Sequence, residues 1–250
     1  MASIATLVNK WLRGPPLASD GQSSRRQLFV DQLRIAGGHA RTIFDVGAQH
    51  GQNALRYYLD FPRARIFAFE PVPQSVARTR REIGGKTDRI EVIASAVAEV
   101  AGTLELNLNA HDGTHSRLAI GDSRYWAGPA VAVGKSDVAA TTIDTFMTER
   151  RLDDIDILAM DIQGGELPAL RGAARAIEAG RIGLIVLEVC FKPLYRDLPL
   201  FWEVGDFLET RGFSLFGLYD CVYAAANRNV LCWADAIFVG PRHQKLDRLL

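Results

Sequence analysis

From residue 41 onward, short β-branched and aromatic runs alternate with helical segments, and this alternation constrains the fold more than any other feature. Thr42–Val46, Arg65–Phe69, Ile90–Ala94, Ile155–Met160 and Ile182–Glu188 are near-continuous apolar runs, as expected of strands buried on both faces of a parallel sheet. Helical patterns lie between them at Asn53–Phe61, Gln74–Ile83, Ile143–Arg151, Leu167–Ala179 and Phe201–Arg211. Such alternation implies βαβ crossovers and an open doubly wound sheet. Ser214–Leu218 and Ala236–Val239 read as two further strands with no helix between them, which makes them antiparallel neighbours. The expected fold class is α/β: a Rossmann-like doubly wound sheet, mostly parallel, with an antiparallel last strand.

Composition narrows the partners. The chain has 250 residues, 48% hydrophobic, with 29 basic residues against 29 acidic ones. Neutrality argues against nucleic acid, because few counterions would be released on binding, and the apolar content excludes a disordered chain. No run of about 18 apolar residues exists, so no membrane span is expected. Met1–Lys10 lacks the apolar core of a secretory signal, and Cys190, Cys221 and Cys232 have no metal-ligand spacing. Reduced thiols and a cytoplasmic location are the expectation. Residues 1–38 read as an N-terminal helical extension, with helix-like pieces at Ile4–Leu12 and Ser24–Ile35 around the breaker Gly14-Pro15-Pro16. It is read as a packing arm; the alternatives are a lid or a homo-oligomer contact. A single domain then covers 39–242, followed by a tail at 243–250. Asn109–Ser136 is polar and Gly-rich, carries His111, Asp112, His115, Arg117, Tyr125 and Trp126, and reads as a substrate-covering loop beside an extra strand at Thr103–Leu108.

Ligands of open α/β sheets bind outside the carboxyl ends of the strands. There the sequence has Asp45-Val46-Gly47-Ala48-Gln49-His50-Gly51-Gln52, a strand, a glycine turn and a helix start. Gly47 and Gly51 let the backbone approach a ligand where a Cβ would collide. The spacing is not the G-x-G-x-x-G of dinucleotide sites. Asp45 would repel an anion and welcome a cationic amino-acid group. Glu70, ending the second strand before Pro71, is placed to accept both hydroxyls of a ribose; otherwise it is a solvated strand end.

These residues carry a resemblance. Asp45-Val46-Gly47-Ala48-x-x-Gly51-Gln52 and Phe69-Glu70-Pro71 look like the first two motifs of S-adenosylmethionine-dependent methyltransferases. Ala159-Met160-Asp161-Ile162-Gln163-Gly164-Gly165-Glu166, continuing Leu170-x-Gly172-Ala173, resembles the signature of the FkbM family. Thr142-Ile143-Asp144, Leu187-Glu188-Val189 with Leu194-Tyr195, and Ala234-Asp235-Ala236-Ile237-Phe238 follow the same family in order. The resemblance implies a class I methyltransferase sheet and S-adenosyl-L-methionine as cofactor. The residues expected to hold it are Asp45, Gly47, Gln49, His50, Gly51, Asn53, Glu70, Pro71, Ser95, Ala96, Asp161 and Gln163. Gln49-His50 replaces the family's more usual Asn and aliphatic pair, and Gln163 stands where Glu is commoner.

Methyl transfer to an alcohol needs alignment and a route for the acceptor's proton. Asp161 and Glu188, at the ends of neighbouring strands, and His115, a mobile loop base of the residue type whose unperturbed pKa is near neutral, are the candidate catalytic residues. No metal is expected, because Gln163 removes one carboxylate. The sequence thus reads as an O-methyltransferase of a small-molecule hydroxyl: a sugar, polyketide or other specialised metabolite. The alternatives are a non-catalytic nucleoside-binding interaction module and a nicotinamide-dependent oxidoreductase.

Overall fold

Seven strands make the central sheet of the chain, whose computed structural model describes residues 21–84, 88–122, 125, 131–224 and 227–243. The elements are α1 (Gly21–Ala36), β1 (Thr42–Val46), α2 (Gln52–Asp60), β2 (Arg65–Phe69), α3 (Pro73–Ile83) and β3 (Ile90–Ile93). Next come β4 (Ala96–Val97), β5 (Gly102–Asn109), β6 (Ala132–Thr141), α4 (Ile143–Arg150) and β7 (Ile155–Met160). The chain continues through α5 (Glu166–Arg171), α6 (Ala174–Glu178), β8 (Ile182–Cys190), α7 (Phe201–Glu209), β9 (Ser214–Ala224) and β10 (Asn227–Val239). The helix-like piece Ile4–Leu12, Trp126 and the tail beyond residue 243 lie outside the described residues.

The large sheet has the order β3-β2-β1-β7-β8-β10-β9. Its pairs are parallel except those of β10, which runs antiparallel to β8 and β9. The order reverses between β1 and β7, so the crevice opens where those strands end. β9 and β10 reach further than expected and form a long hairpin.

Alternating side chains feed a core on each face. On one, Phe146 of α4 packs on Phe44, Phe67 and Phe69, with centroids 5.5, 5.2 and 4.8 Å away. On the other, α1 and α2 bury Leu28, Phe29, Ile35, Leu55 and Tyr57 against Ile43, Ile157 and Ile237. Each such side chain contributes about 1.5–3 kcal/mol. Helix α1 is also fixed by polar contacts: the Tyr219 hydroxyl donates to Asp31 (2.8 Å), and the Asp220 N–H donates to the Ser24 hydroxyl (2.8 Å).

Two expectations are corrected. The helix at Leu167–Ala179 is two helices, because Gly172 lies against the Ala98 carbonyl and Asp144 caps the second piece, accepting from the Arg175 and Ala176 N–H groups (both 2.9 Å). Asn109–Ser136 is not structureless. Its end belongs to β6, which pairs with β4 and β5 in a second, three-stranded sheet, and Asp112–Thr114 forms a 3₁₀ turn. β6 is solvent-exposed through Ala132–Lys135, so Gly134 and Lys135 hid its strand character.

Candidate functional site

The turn after β1 is stitched from several sides. The N–H groups of Gly47 and Ala48 donate to the Phe69 carbonyl (3.0 and 2.9 Å). Glu70, buried at the end of β2, accepts from the N–H of Gln49 on one oxygen and from that of Val72 on the other (both 2.9 Å). Gly47 has φ 86°, and a Cβ there would run into the Asp161 carbonyl. Two strand ends therefore close on a backbone that only glycine can supply.

The turn after β7 is held as firmly. Gln163 and Gly164 adopt positive φ (51° and 93°), and the buried Glu166 accepts from the N–H groups of Ile162 (2.9 Å) and Gly164 (2.8 Å). Burial raises the Glu166 pKa to about 7 against these hydrogen bonds. The Ser116 hydroxyl donates to the Gln163 carbonyl (2.6 Å), tying the second sheet's loop to this turn.

Parallel pairing of Met160 with Leu187 brings Asp161 level with Glu188. The Gln163 amide bridges them, donating to Asp161 (2.7 Å) and Glu188 (3.1 Å), while its oxygen accepts from the Tyr195 hydroxyl (2.8 Å). Asp161 is exposed at the mouth of the site, and the protein packed around its carboxyl raises its pKa by desolvation, opposed by the Gln163 hydrogen bond and the charge of Arg25. Glu188 is pushed well up, by burial first and then by the neighbouring Asp161. Both carboxyls thus hold a proton more readily than ordinary acids do.

Two cavities meet at Asp161. The larger, of about 360 Å³, lies within the range of small-molecule sites and is lined in part by Gly47, Gln49, Glu70, Pro71, Ser95, Ala96, Asp161 and Gln163. Leu104, Leu106, His115 and Arg117 of the second sheet and its loop close another side. The smaller, of about 40 Å³, lies under α1 and is lined by Arg25, Gln32, Asp45, Asn53, Tyr57, Asp161 and Asp235 among others. Asp45 is 2% exposed, one of its oxygens has no hydrogen-bond partner, and burial raises its pKa to about 7.

The expected site residues are thus distributed. Asp45 and Asn53 face the small cavity, not the large one. His50 and Gly51 line neither; Gly51 is glycine because α3 leaves no room, a Cβ meeting Ile83. Glu188 touches the site through Gln163 rather than by lining a cavity. His115 lines the large cavity, and its Nδ1 accepts from the Asn109 N–H (3.0 Å). With Nδ1 accepting, the neutral ring carries its hydrogen on Nε2, which suits donation better than proton abstraction. Sequence reasoning missed Arg25, Gln32 and Asp235 as site residues. Asp235 left a signal, a charge inside an apolar strand; Arg25 and Gln32 left none, because only tertiary packing brings α1 there.

Residues 45–215, more than half of the chain, match the family described as the methyltransferase FkbM domain. The chain is 27% identical over 166 residues to the 2-O-methyltransferase NoeI of Sinorhizobium fredii, covering 63% of this chain and 67% of that protein. It is 24% identical over 235 residues to the AMB antimetabolite synthetase AmbE of Pseudomonas aeruginosa, covering 81% of this chain and 11% of that protein. The precorrin-6y C5,15-methyltransferase of Geobacter metallireducens has a similar structure, with TM-score 0.46 and 16% identity, covering 85% of this chain and 87% of that one. No helix among the described residues is long and apolar enough to cross a membrane.

Proposed function

The chain belongs to the FkbM methyltransferase family, and from that premise we propose that it is an S-adenosylmethionine-dependent O-methyltransferase acting on a hydroxyl of a small molecule. The observation that carries this reading is the meeting of two strand-end turns. Gly47 and Glu70 form one wall of the large cavity, and Asp161 with Gln163 forms the other.

The residues present fit the cofactor. Gly47 lines the large cavity, and because a Cβ there would meet the Asp161 carbonyl, only glycine lets the turns after β1 and β7 close into one cradle. Glu70, at the end of β2 in the wall of the large cavity, is placed to accept from a ribose hydroxyl. The carboxyls of Asp45, Asp161 and Asp235 around the neighbouring cavity favour an ammonium and disfavour a pyrophosphate, which speaks against a nicotinamide dinucleotide.

When bound, the cofactor supplies a methyl group activated by a sulfonium. The chain must then hold the acceptor hydroxyl in line and receive its proton. Asp161, which lines both cavities and whose pKa is raised, is the group we assign to that proton. Glu188 steadies Asp161 through the shared Gln163 amide, and His115 lines the opposite wall, where an acceptor would lie. The Gln163 amide nitrogen lies between the two carboxylates, in the place a bridging cation would take, which supports a metal-free route.

Calorimetry with S-adenosylhomocysteine and with NAD tests the cofactor, and transfer of labelled methyl to a panel of sugars and other alcohols tests the reaction. The first nucleoside is expected to bind and NAD is not. Binding of NAD alone, or label found only on nitrogen or carbon acceptors, overturns the proposal.

A further inference from the structure

The small cavity under α1 has a polar wall that the core does not satisfy. The Gln32 side chain is 1% exposed; its oxygen accepts from the Tyr57 hydroxyl (2.9 Å), and its nitrogen has no partner. Asp45 presents an equally buried oxygen without a partner. A donor and an acceptor left unpaired in one buried space are costly unless something binds between them. Arg25 is the cation of this wall. It stands 3.5 Å from Asp220, 3.9 Å from Asp235 and 3.5 Å from the Asn53 side-chain oxygen. These are loose contacts, so the guanidinium is not consumed by them.

A lone carboxylate would be repelled here by Asp45, Asp161 and Asp235. A zwitterion matches the wall: an ammonium toward the acids, and a carboxylate toward the donors of Arg25 and Gln32. The cavity abuts the large one at Asp161, so one ligand can reach both.

We propose that α1 completes the nucleoside site, with Arg25 and the Gln32 amide binding the carboxylate of the ligand's amino-acid end, whose ammonium lies against Asp45. This rests on the methyltransferase reading, and adds to it a helix that lies outside the family-matched residues 45–215.

The test compares two nucleosides by calorimetry on the full chain. S-adenosylhomocysteine carries the amino-acid end; 5′-methylthioadenosine keeps the adenosine and sulfur and lacks it. Arg25 is exposed, so Arg25→Gln is expected to fold. It should weaken S-adenosylhomocysteine about 10-fold or more, the scale of a lost charged hydrogen bond, and leave 5′-methylthioadenosine within about twofold. Arg25→Lys should recover part of the loss, and Arg26→Gln, one residue along, should lose nothing. Unchanged S-adenosylhomocysteine affinity in Arg25→Gln, or equal weakening of both nucleosides, overturns the inference alone. A wild-type chain that binds neither nucleoside overturns the methyltransferase reading and this inference with it.

Discussion

Asp161 belongs to both cavities, and the Gln163 amide, itself held by Glu188, donates to one oxygen of its carboxyl. If it receives the acceptor's proton, Asp161→Asn should lower kcat by ~10²–10⁴, the usual size of a lost general base, while calorimetry still shows nucleoside binding. Equal loss of binding would make it a binding residue only. Gly47 is constrained by sterics rather than chemistry. Gly47→Ala places a methyl against the Asp161 carbonyl and forces a positive φ on a residue with a Cβ. It should abolish S-adenosylhomocysteine binding while circular dichroism still reports folded helices; retained affinity would mean that the two turns can part. Glu70 differs because its carboxylate also supports the chain. Glu70→Ala should lower both nucleoside affinity and melting temperature, whereas Glu70→Gln, which keeps one accepting oxygen, should lose less of each.

The second sheet and its loop reach the site through Tyr195 and Ser116. The Tyr195 hydroxyl sits within hydrogen-bond distance of the Gln163 amide oxygen (2.8 Å) and the Thr114 carbonyl (3.0 Å), so it sets which way the amide faces. Tyr195→Phe should lower acceptor kcat/KM by roughly 2–10-fold, the scale of one neutral hydrogen bond, with cofactor affinity unchanged. A loss confined to cofactor affinity would contradict that coupling. At this scale the large sheet was legible and the small one was not. Thr42–Val46, Arg65–Phe69 and Ile155–Met160 are buried on both faces, so hydrophobic runs alone mark their ends. β6 has water on much of its surface, and β4 is two residues long, so neither has a run to read. Asp45, Glu70 and Asp161 stood out as acids beside glycine turns. Their division between two cavities did not, because it depends on where α1 docks, and α1 docks through its Gln32 and Asp31 onto the hydroxyls of Tyr57 and Tyr219, which lie outside the helix in sequence.

Across the whole molecule, the acids near the strand ends make stability depend on pH. Asp45 and Glu166 are 2% and 6% exposed, and each has its pKa raised to about 7 by burial. The unfolded chain releases these protons near ordinary carboxylate values, about 3.9 and 4.3. Between roughly pH 4 and pH 7 the folded state therefore binds more protons than the unfolded one. The contribution of these groups to stability must fall as pH rises through that window, then level off above pH 7. The Ala54 N–H donates to the Asp45 carboxyl, and Asp45→Asn removes one ionisation while keeping an oxygen to accept it. Relative to wild type, the stability gained by Asp45→Asn should grow as pH rises from about 4 to about 7 and level off above it, so chemical denaturation should show a gain larger by about 1–3 kcal/mol at pH 8 than at pH 5. A ligand ammonium beside Asp45 favours the charged carboxylate, so S-adenosylhomocysteine should erase part of that difference. Thermal shifts measured at pH 6 and pH 8 with this nucleoside should therefore be larger at pH 8 for wild type and nearly equal for Asp45→Asn. Equal shifts in wild type would show that the amino-acid end does not approach Asp45.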